Sequence, residues 1–373
     1  MAAPLPERLQ IVDADEDRAL SPDPTFWAGK RVLVTGHTGF KGSWLAMWLR
    51  RLGAEVTGLA LVPDTQPSLF ALAVADEVAS RFVDVRDLTA VQACFAAARP
   101  EIVLHLAAQA LVRPSYADPV GTYATNVMGT VHVLEAARQT ASVRAVVVVT
   151  SDKAYENREW PWAYRESEAM GGYDPYSNSK GCAELVVSAY RSSFFTQSGV
   201  HVASARAGNV IGGGDWSVDR LIPDIVRAFE RGQSVEIRSP GAIRPWQHVL
   251  EPLAGYLTLA ERLCGPDGAA FAEPWNFGPS DEDCRAVSYV IDQVAKHWGG
   301  DARWHLSDKQ QPHEATFLKV DSSKARARLG WDRRLRLEDA LSWTTQWYRE
   351  QGKGASARDL TLAQIDAYEH LGA

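Results

Sequence analysis

The chain has 373 residues, 46% of them hydrophobic, and a formal net charge of −7. That length can bury one large domain or two closely packed ones, and the acidic balance gives no reason to expect nucleic acid as a partner. It has no apolar run of about 18 residues, so no membrane span is expected. The acidic, proline-containing opening MAAPLPERLQIVDADEDRALSPDP is not a secretory signal. Residues 1–27 read either as a disordered tail or as an arm that docks elsewhere. The first strong element is RVLVTG (31–36), a short β-branched strand. SWLAMWLRRLG follows, apolar at helical spacing and closed by a glycine. EVTGLAL (55–61) is the next strand, RFVDVRD contains another, and EIVLHLAA (101–108) a third. TNVMGTVHVLEAARQ reads as an amphipathic helix, and VRAVVVVTS (143–151) as a buried strand. Strands alternating with helices predict an α/β fold, a doubly wound parallel sheet with helices on both faces. After about residue 210 the pattern loosens into GGGDWS and RSPGAIRPWQ, so a smaller second lobe is expected, with no linker to separate it. Cys94, Cys182, Cys264 and Cys284 form no CxxC and no metal-like spacing, which fits reduced, buried thiols in a cytoplasmic protein.

VTGHTGFKG places Gly36, Gly39 and Gly42 between a strand and a helix. In that context Gly36 permits the tight turn and Gly39 the approach of a pyrophosphate. Gly42 lets the helix pack on the strand, and the helix start favours the anion. An acid is expected at the end of the second strand to hold the adenosine ribose, but Leu59-Ala60-Leu61 stands there, with no acid before Asp64. No arginine is nearby for a ribose phosphate, so the reading is NAD rather than NADP, with Asp64 or backbone groups on the ribose. Asp84, after the third strand, either accepts from an adenine amino group or caps a turn.

YSNSK sets Tyr176 and Lys180 four apart, on one helical face. A phenol with a reference pKa near 10 needs a neighbouring ammonium to act as a base at neutral pH. TSDK, where the 143–151 strand ends, adds Ser151, Asp152 and Lys153.

Together GxxGxxG, HLAAQ (105–109), Ser151 and YxxxK resemble the extended short-chain dehydrogenase/reductase family. TSDKAYENREW, MGGYDPYSNSKGCAELV, RAGNVIGGGDW, GHTGFKGSWL and RPWQHVLEPL are most similar to its nucleotide-sugar 4,6-dehydratase branch, and within that to enzymes acting on CDP-glucose. The likeness spans residues 26–350. It implies a Rossmann-type sheet formed by residues 28–209 and about 246–276. A smaller C-terminal lobe for the nucleotide sugar would take about 210–245 and 277–373. It implies a lyase that keeps NAD bound: C4 is oxidised, water leaves across C5 and C6, and hydride returns to C6. Tyr176 would take the C4 hydroxyl proton with Ser151 and Lys180 assisting, and Asp152 would protonate the departing C6 hydroxyl. Lys153 stands where most of the branch has glutamate. It either is the C5 base or only pairs with Asp152 or Glu156.

The resemblance also puts Phe40, Val85, Leu106, Ala107 and Ala108 at the cofactor, and Gln109, Arg113, Asn209, Arg220, Arg244 and His313 at the substrate. Ser115 falls at the sugar pocket. The glycines after Asn209 would let backbone amides reach anionic oxygens. Arg206 opens the same motif. Arg285 reads as a surface charge or a diphosphate contact, and His313-Glu314 as a nucleotide contact or a capped turn. Trp160, Trp162 and Tyr164 either cover the sugar or pack in the core. Helices containing 121–139 and 176–198 either form a homodimer or face the sheet. A 4-epimerase would share the Ser-Tyr-Lys set but needs no acid at Asp152. A non-catalytic NAD-binding subunit would be expected to lack the Tyr-Lys pair.

Overall fold

The computed structural model describes residues 21–300, 302–307 and 317–371. Six strands in chain order are β1 (Arg31–Thr35), β2 (Glu55–Ala60), β3 (Ala79–Phe82), β4 (Ile102–His105), β5 (Ala145–Val149) and β6 (His201–Ala207). With Pro274–Phe277 beyond β6 they form one sheet ordered Pro274–Phe277, β6, β5, β4, β1, β2, β3. All six pairings are parallel, with Val32 opposite both Val56 and Ile102. The five predicted strands are present. β6 and Pro274–Phe277 carry no comparable signal: HVASARA is mostly small residues, and PWNF is four residues beginning with proline.

Period-2 alternation divides the strand side chains between two cores. Leu33, Val103, Val146 and Val148 pack with Phe95, Val133 and Val187 from the helices Leu88–Ala98, Gly129–Arg138 and Pro175–Tyr190. Val32, Val34, Ile102, Leu104 and Val147 face the other way, onto Trp44 and Trp48 of the helix Phe40–Arg51 and Leu253 and Leu257 of Leu250–Cys264. This second core runs on into Ile222, Leu335, Trp347 and Tyr368, so the sheet and the segments expected to form a second lobe share one interior. Those segments use short pairings, such as Ile243–Pro245 with Cys284–Ala286.

Of the expected tail, residues 1–20 lie outside the described residues. The rest docks: Trp27 is buried, its indole N–H donates to Glu261 (2.6 Å), and the Asp23 amide donates to the same carboxylate (2.9 Å). Among the described residues no helix is long and apolar enough to cross a membrane.

Candidate active site

The strand order reverses direction between β1 and β4, so a crevice opens at their carboxyl ends. Thr35 closes its floor. Its Oγ1 accepts from the Leu106 and Ala107 amides (3.1 Å each) and bonds His105 Nδ1 (2.7 Å). Gly36 turns at φ 73°, and a Cβ there would sit 2.7 Å from the Ala107 nitrogen. A Cβ at Gly42 would lie 2.1 Å from the Gly36 carbonyl oxygen, so helix and turn touch backbone to backbone. At Gly39 the nearest atom is 3.4 Å away, which leaves that side open for a ligand at the start of the Phe40–Arg51 helix. This cradle fits a dinucleotide pyrophosphate.

On the ribose side Asp64 is exposed. Asp84 accepts from the Arg86 amide (2.9 Å) and guanidinium (2.6 Å), which hold its carboxyl below the ordinary range, and so occupies a turn. Val85 is buried against Gly129. His37 fills the space above Gly58 and bonds Ser80 (3.0 Å). Burial holds its imidazole neutral, at about 4.

β5 ends at Val149, and the chain turns through a short 3-10 helix, Asp152–Ala154. Ser151 Oγ donates to Asp152 Oδ1 (3.0 Å) and accepts from the Lys153 amide (3.2 Å). Asp152 Oδ2 is buried without a hydrogen-bond partner. Burial pushes its carboxyl up, with the charges of Lys153 and Arg244 and the Ser151 bond opposing. Asp174 caps the helix Pro175–Tyr190, whose first turns carry Tyr176 and Lys180. Both are buried.

Lys180 Nζ donates to the Val149 carbonyl (3.2 Å), and burial lowers it to about 8. Tyr176 departs from the simple expectation of a phenol lowered by its lysine. Burial raises it, with the Ser151 hydroxyl and Arg220 pulling the other way. Ser115 lines no sugar pocket: its Oγ accepts from the Tyr176 amide (3.1 Å) and donates to Val112 O (2.6 Å), so it fixes the tyrosine's backbone.

Ser151, Asp152, Lys153 and Tyr176 open onto one cavity of about 330 Å³, lined also by Phe40, Arg113, Asn209, Arg220 and Arg244, while Lys180 lies behind its wall. Arg220 pairs with Asp215 (3.0 Å). At the rim Asp219 pairs with Arg113 (3.3 Å) and Arg238 (2.7 Å). The pattern missed Lys41, which lines the cavity. Burial, Lys180 and Arg220 bring its ammonium down to about 7. Its only sequence signal is a lysine inside the glycine motif.

Other expected contacts lie elsewhere. Gln109 spends its amide on Leu111 O and Thr122 (3.0 Å each) and its carbonyl on the Leu111 amide (2.6 Å), shaping the loop instead of the cavity wall. Arg206 is buried against Glu184 (2.8 Å). Arg285 is exposed, over the Tyr289 ring. Trp160 stacks on Tyr164 and Tyr164 on Tyr155, away from the cavity lining, while Trp162 is exposed. Of the glycines after Asn209, Gly212 also lines the cavity, while Gly213 and Gly214 make room for packing. A Cβ at Gly213 would lie 2.1 Å from the Trp347 ring, and one at Gly212 2.8 Å from Val249. His313 and Glu314 lie outside the described residues.

Comparison with known proteins agrees with this fold. The family model described as GDP-mannose 4,6 dehydratase matches residues 33–344. A CDP-glucose 4,6-dehydratase from Salmonella typhimurium is 54% identical over 352 residues, 93% of this chain and 98% of that protein. A Thermus thermophilus UDP-glucose 4-epimerase solved with NAD superposes with a TM-score of 0.72 at 25% identity, covering 86% of this chain and 99% of that one. A Streptomyces venezuelae dTDP-glucose 4,6-dehydratase, also solved with NAD, gives 0.72 at 23% identity over 87% of this chain and 98% of that one.

Proposed function

The chain belongs to the GDP-mannose 4,6 dehydratase family and is a hydro-lyase, and from its 54% identity to a CDP-glucose 4,6-dehydratase we propose that it converts CDP-glucose to CDP-4-keto-6-deoxyglucose with NAD as resident cofactor. The observation that carries the proposal is the gathering of Ser151, Asp152, Lys153 and Tyr176 on one cavity, with a buried Asp152 oxygen left unpartnered. An acid that must give up a proton to a leaving hydroxyl needs that arrangement, and an epimerase does not.

Gly36, Gly39 and Gly42 would hold the pyrophosphate, and Lys180 the nicotinamide-side ribose. When bound, NAD supplies the hydride acceptor for C4 and the hydride donor for C6. Tyr176 takes the C4 hydroxyl proton while the Ser151 hydroxyl orients that oxygen. The 4-ketone so formed acidifies the proton on C5. Lys153, as the free amine, removes it, and Asp152, whose proton burial helps to retain, protonates the C6 oxygen, which departs as water. Arg220 and Arg244 suit the diphosphate, since guanidinium forks match phosphate oxygens.

The test is product analysis by NMR after incubation with CDP-glucose and NAD. A new C6 methyl signal is expected. An inverted C4 with the C6 hydroxyl retained would make the enzyme an epimerase. Turnover of dTDP-glucose in preference to CDP-glucose would reassign the nucleotide. The base is tested separately. Lys153→Ala should slow C5 proton exchange by roughly 10²–10⁴-fold. A loss under about tenfold, with the larger loss in Lys41→Ala, would transfer the role to Lys41.

The same reading includes a homodimer. Val120 and Met128 at one helix and Leu185 and Phe194 at the other expose large apolar side chains. Leu185→Arg should shift the sedimentation coefficient to that of a monomer.

A further inference from the structure

The side chains behind the catalytic turn are as ordered as those in front of it. Glu184 follows Lys180 by one helical turn and Tyr176 by two, and it faces away from the cavity into the protein. Its two oxygens are fully engaged. Oε1 accepts from Thr150 Oγ1 (2.5 Å), and Oε2 accepts from Ser204 Oγ (2.6 Å) and from Arg206 (2.8 Å). Arg206 in turn donates to the Tyr155 hydroxyl (2.7 Å) and the Glu166 carbonyl (3.1 Å), and Tyr155 donates to Asn276 (2.7 Å). The segment 150–155, which carries Ser151, Asp152 and Lys153, is therefore gripped at both ends. Glu184 holds it at Thr150, and Arg206 holds it at Tyr155.

A buried ion pair is a poor source of stability, because apolar residues of the same volume often do as well. This pair is 4% exposed on either side, and its hydrogen bonds lead to the reacting segment. We propose that the Glu184–Arg206 pair is the positioning element of the catalytic turn and that Glu184 fixes the ammonium form of Lys180. The proposal rests on the dehydratase reading for the turn's chemistry. Its charge argument stands without it.

Among the described residues, charged and titratable groups reach Lys180 from three elements. Tyr176 and Glu184 share its helix. His105 comes from β4, neutral because it is buried, and Lys41 from the helix Phe40–Arg51. β5 supplies the Val149 carbonyl. Burial drives Lys180 toward the free amine, and Glu184 opposes it. Glu184 can do so because it stays ionised. Burial alone would raise its carboxyl, but Arg206, Ser204 and Thr150 together bring it below the ordinary range.

Two measurements test this. In the NAD-free protein, ¹³Cε-lysine NMR follows Lys180 directly, its signal assigned by loss in Lys180→Met. Glu184→Gln keeps the side-chain volume and should move the Lys180 midpoint down by about one pH unit. In turnover with CDP-glucose, the alkaline limb of kcat/KM should move down by a similar amount. Over the same pH range kcat should fall by roughly tenfold or more while KM changes less than about threefold. Thr150→Val removes one grip and no charge. It should lower kcat by about tenfold and leave both midpoints in place. An unmoved Lys180 midpoint in Glu184→Gln would overturn the electrostatic role. Wild-type kcat in Thr150→Val would overturn the positioning role, and this arm remains informative if Glu184→Gln fails to fold. A shifted NMR midpoint without any dehydration product would count against the CDP-glucose reading and leave the charge role intact.

Discussion

Two glycine runs meet the Phe40–Arg51 helix, one leading into it and one packed against it, and they look alike as letters. GHTGFKG spans 36–42, and GGG occupies 212–214. The first brings backbone against backbone, Gly36 on Ala107 and Gly42 on Gly36, and leaves Gly39 open. The second brings backbone against large side chains. Trp347 covers Gly213, Val249 covers Gly212, and Leu69 lies against Gly214, which turns at φ 81°. The Gly213 carbonyl also accepts the Trp44 indole N–H (2.9 Å). One run leaves Gly39 open to a ligand, and the other, although Gly212 also lines the cavity, is filled at Gly213 by a tryptophan from a distant helix. Glycine says that something comes close. It does not say what.

Substitutions separate the two. Gly42→Ala should be the most damaging, at about 4 kcal/mol, because a Cβ 2.1 Å from a backbone oxygen has nothing flexible to displace. Thermal unfolding would register this as a large drop in Tm or as insoluble protein. A variant with wild-type Tm would refute the backbone contact. Gly213→Ala should cost about 1–3 kcal/mol by overpacking. Its partner is a side chain, so Trp347→Leu should recover part of the loss in a double-mutant cycle. Strict additivity would mean the two do not touch. Gly39→Ala should leave Tm nearly unchanged and weaken NAD by about tenfold, near 1.4 kcal/mol, in a fluorescence titration. Unaltered affinity would remove Gly39 from the cofactor site.

The smallest effect is in pH. Beside the first run His37 and His105 are held neutral by burial, at about 4 and about 3. The unfolded chain therefore binds more protons as pH falls below the ordinary histidine value near 6.5, and stability declines toward acid. Beside the second run Glu251 is buried under Tyr368 (3.0 Å) and raised to about 7 by that burial, against two backbone amides. There the folded state binds more protons between the ordinary glutamate value near 4.3 and 7, so this contribution declines as pH rises through that window. Tm against pH should give a dome. Glu251→Gln should remove the decline above about pH 6.5 and steepen the fall toward acid, because from about 4.3 to 6.5 its slope opposes that of the histidines.

Much of the sheet was legible because each early strand is a β-branched run beside a helical pattern. β6 was not, because Ala203 and Ala205 fill their space without announcing a strand. The site was legible where chemistry is local, as in Ser151-Asp152-Lys153 and the Tyr176–Lys180 turn. It was illegible where the partner is far along the chain. Lys41 comes down to about 7 because the fold buries it and brings Lys180 and Arg220 against it. Ser115 reads as a pocket residue until the Tyr176 amide arrives on it from 61 positions away. Gln109 reads as a substrate contact until its own loop consumes the amide.

The shared interior has a consequence for how the chain is made. Trp48 of the Phe40–Arg51 helix donates to Glu369 (2.8 Å), 321 positions later, and Arg51 of the same helix pairs with Asp366 and Glu369. During synthesis the early strands can pair, but one flank of that helix stays uncovered until the Ala357–His370 helix has left the ribosome. At about 5–20 residues per second that interval lasts tens of seconds, with exposed tryptophan surface throughout. The nascent chain is thus a natural client for chaperones, and nonsense truncation anywhere before the last helix should yield aggregate instead of a cofactor-binding fragment.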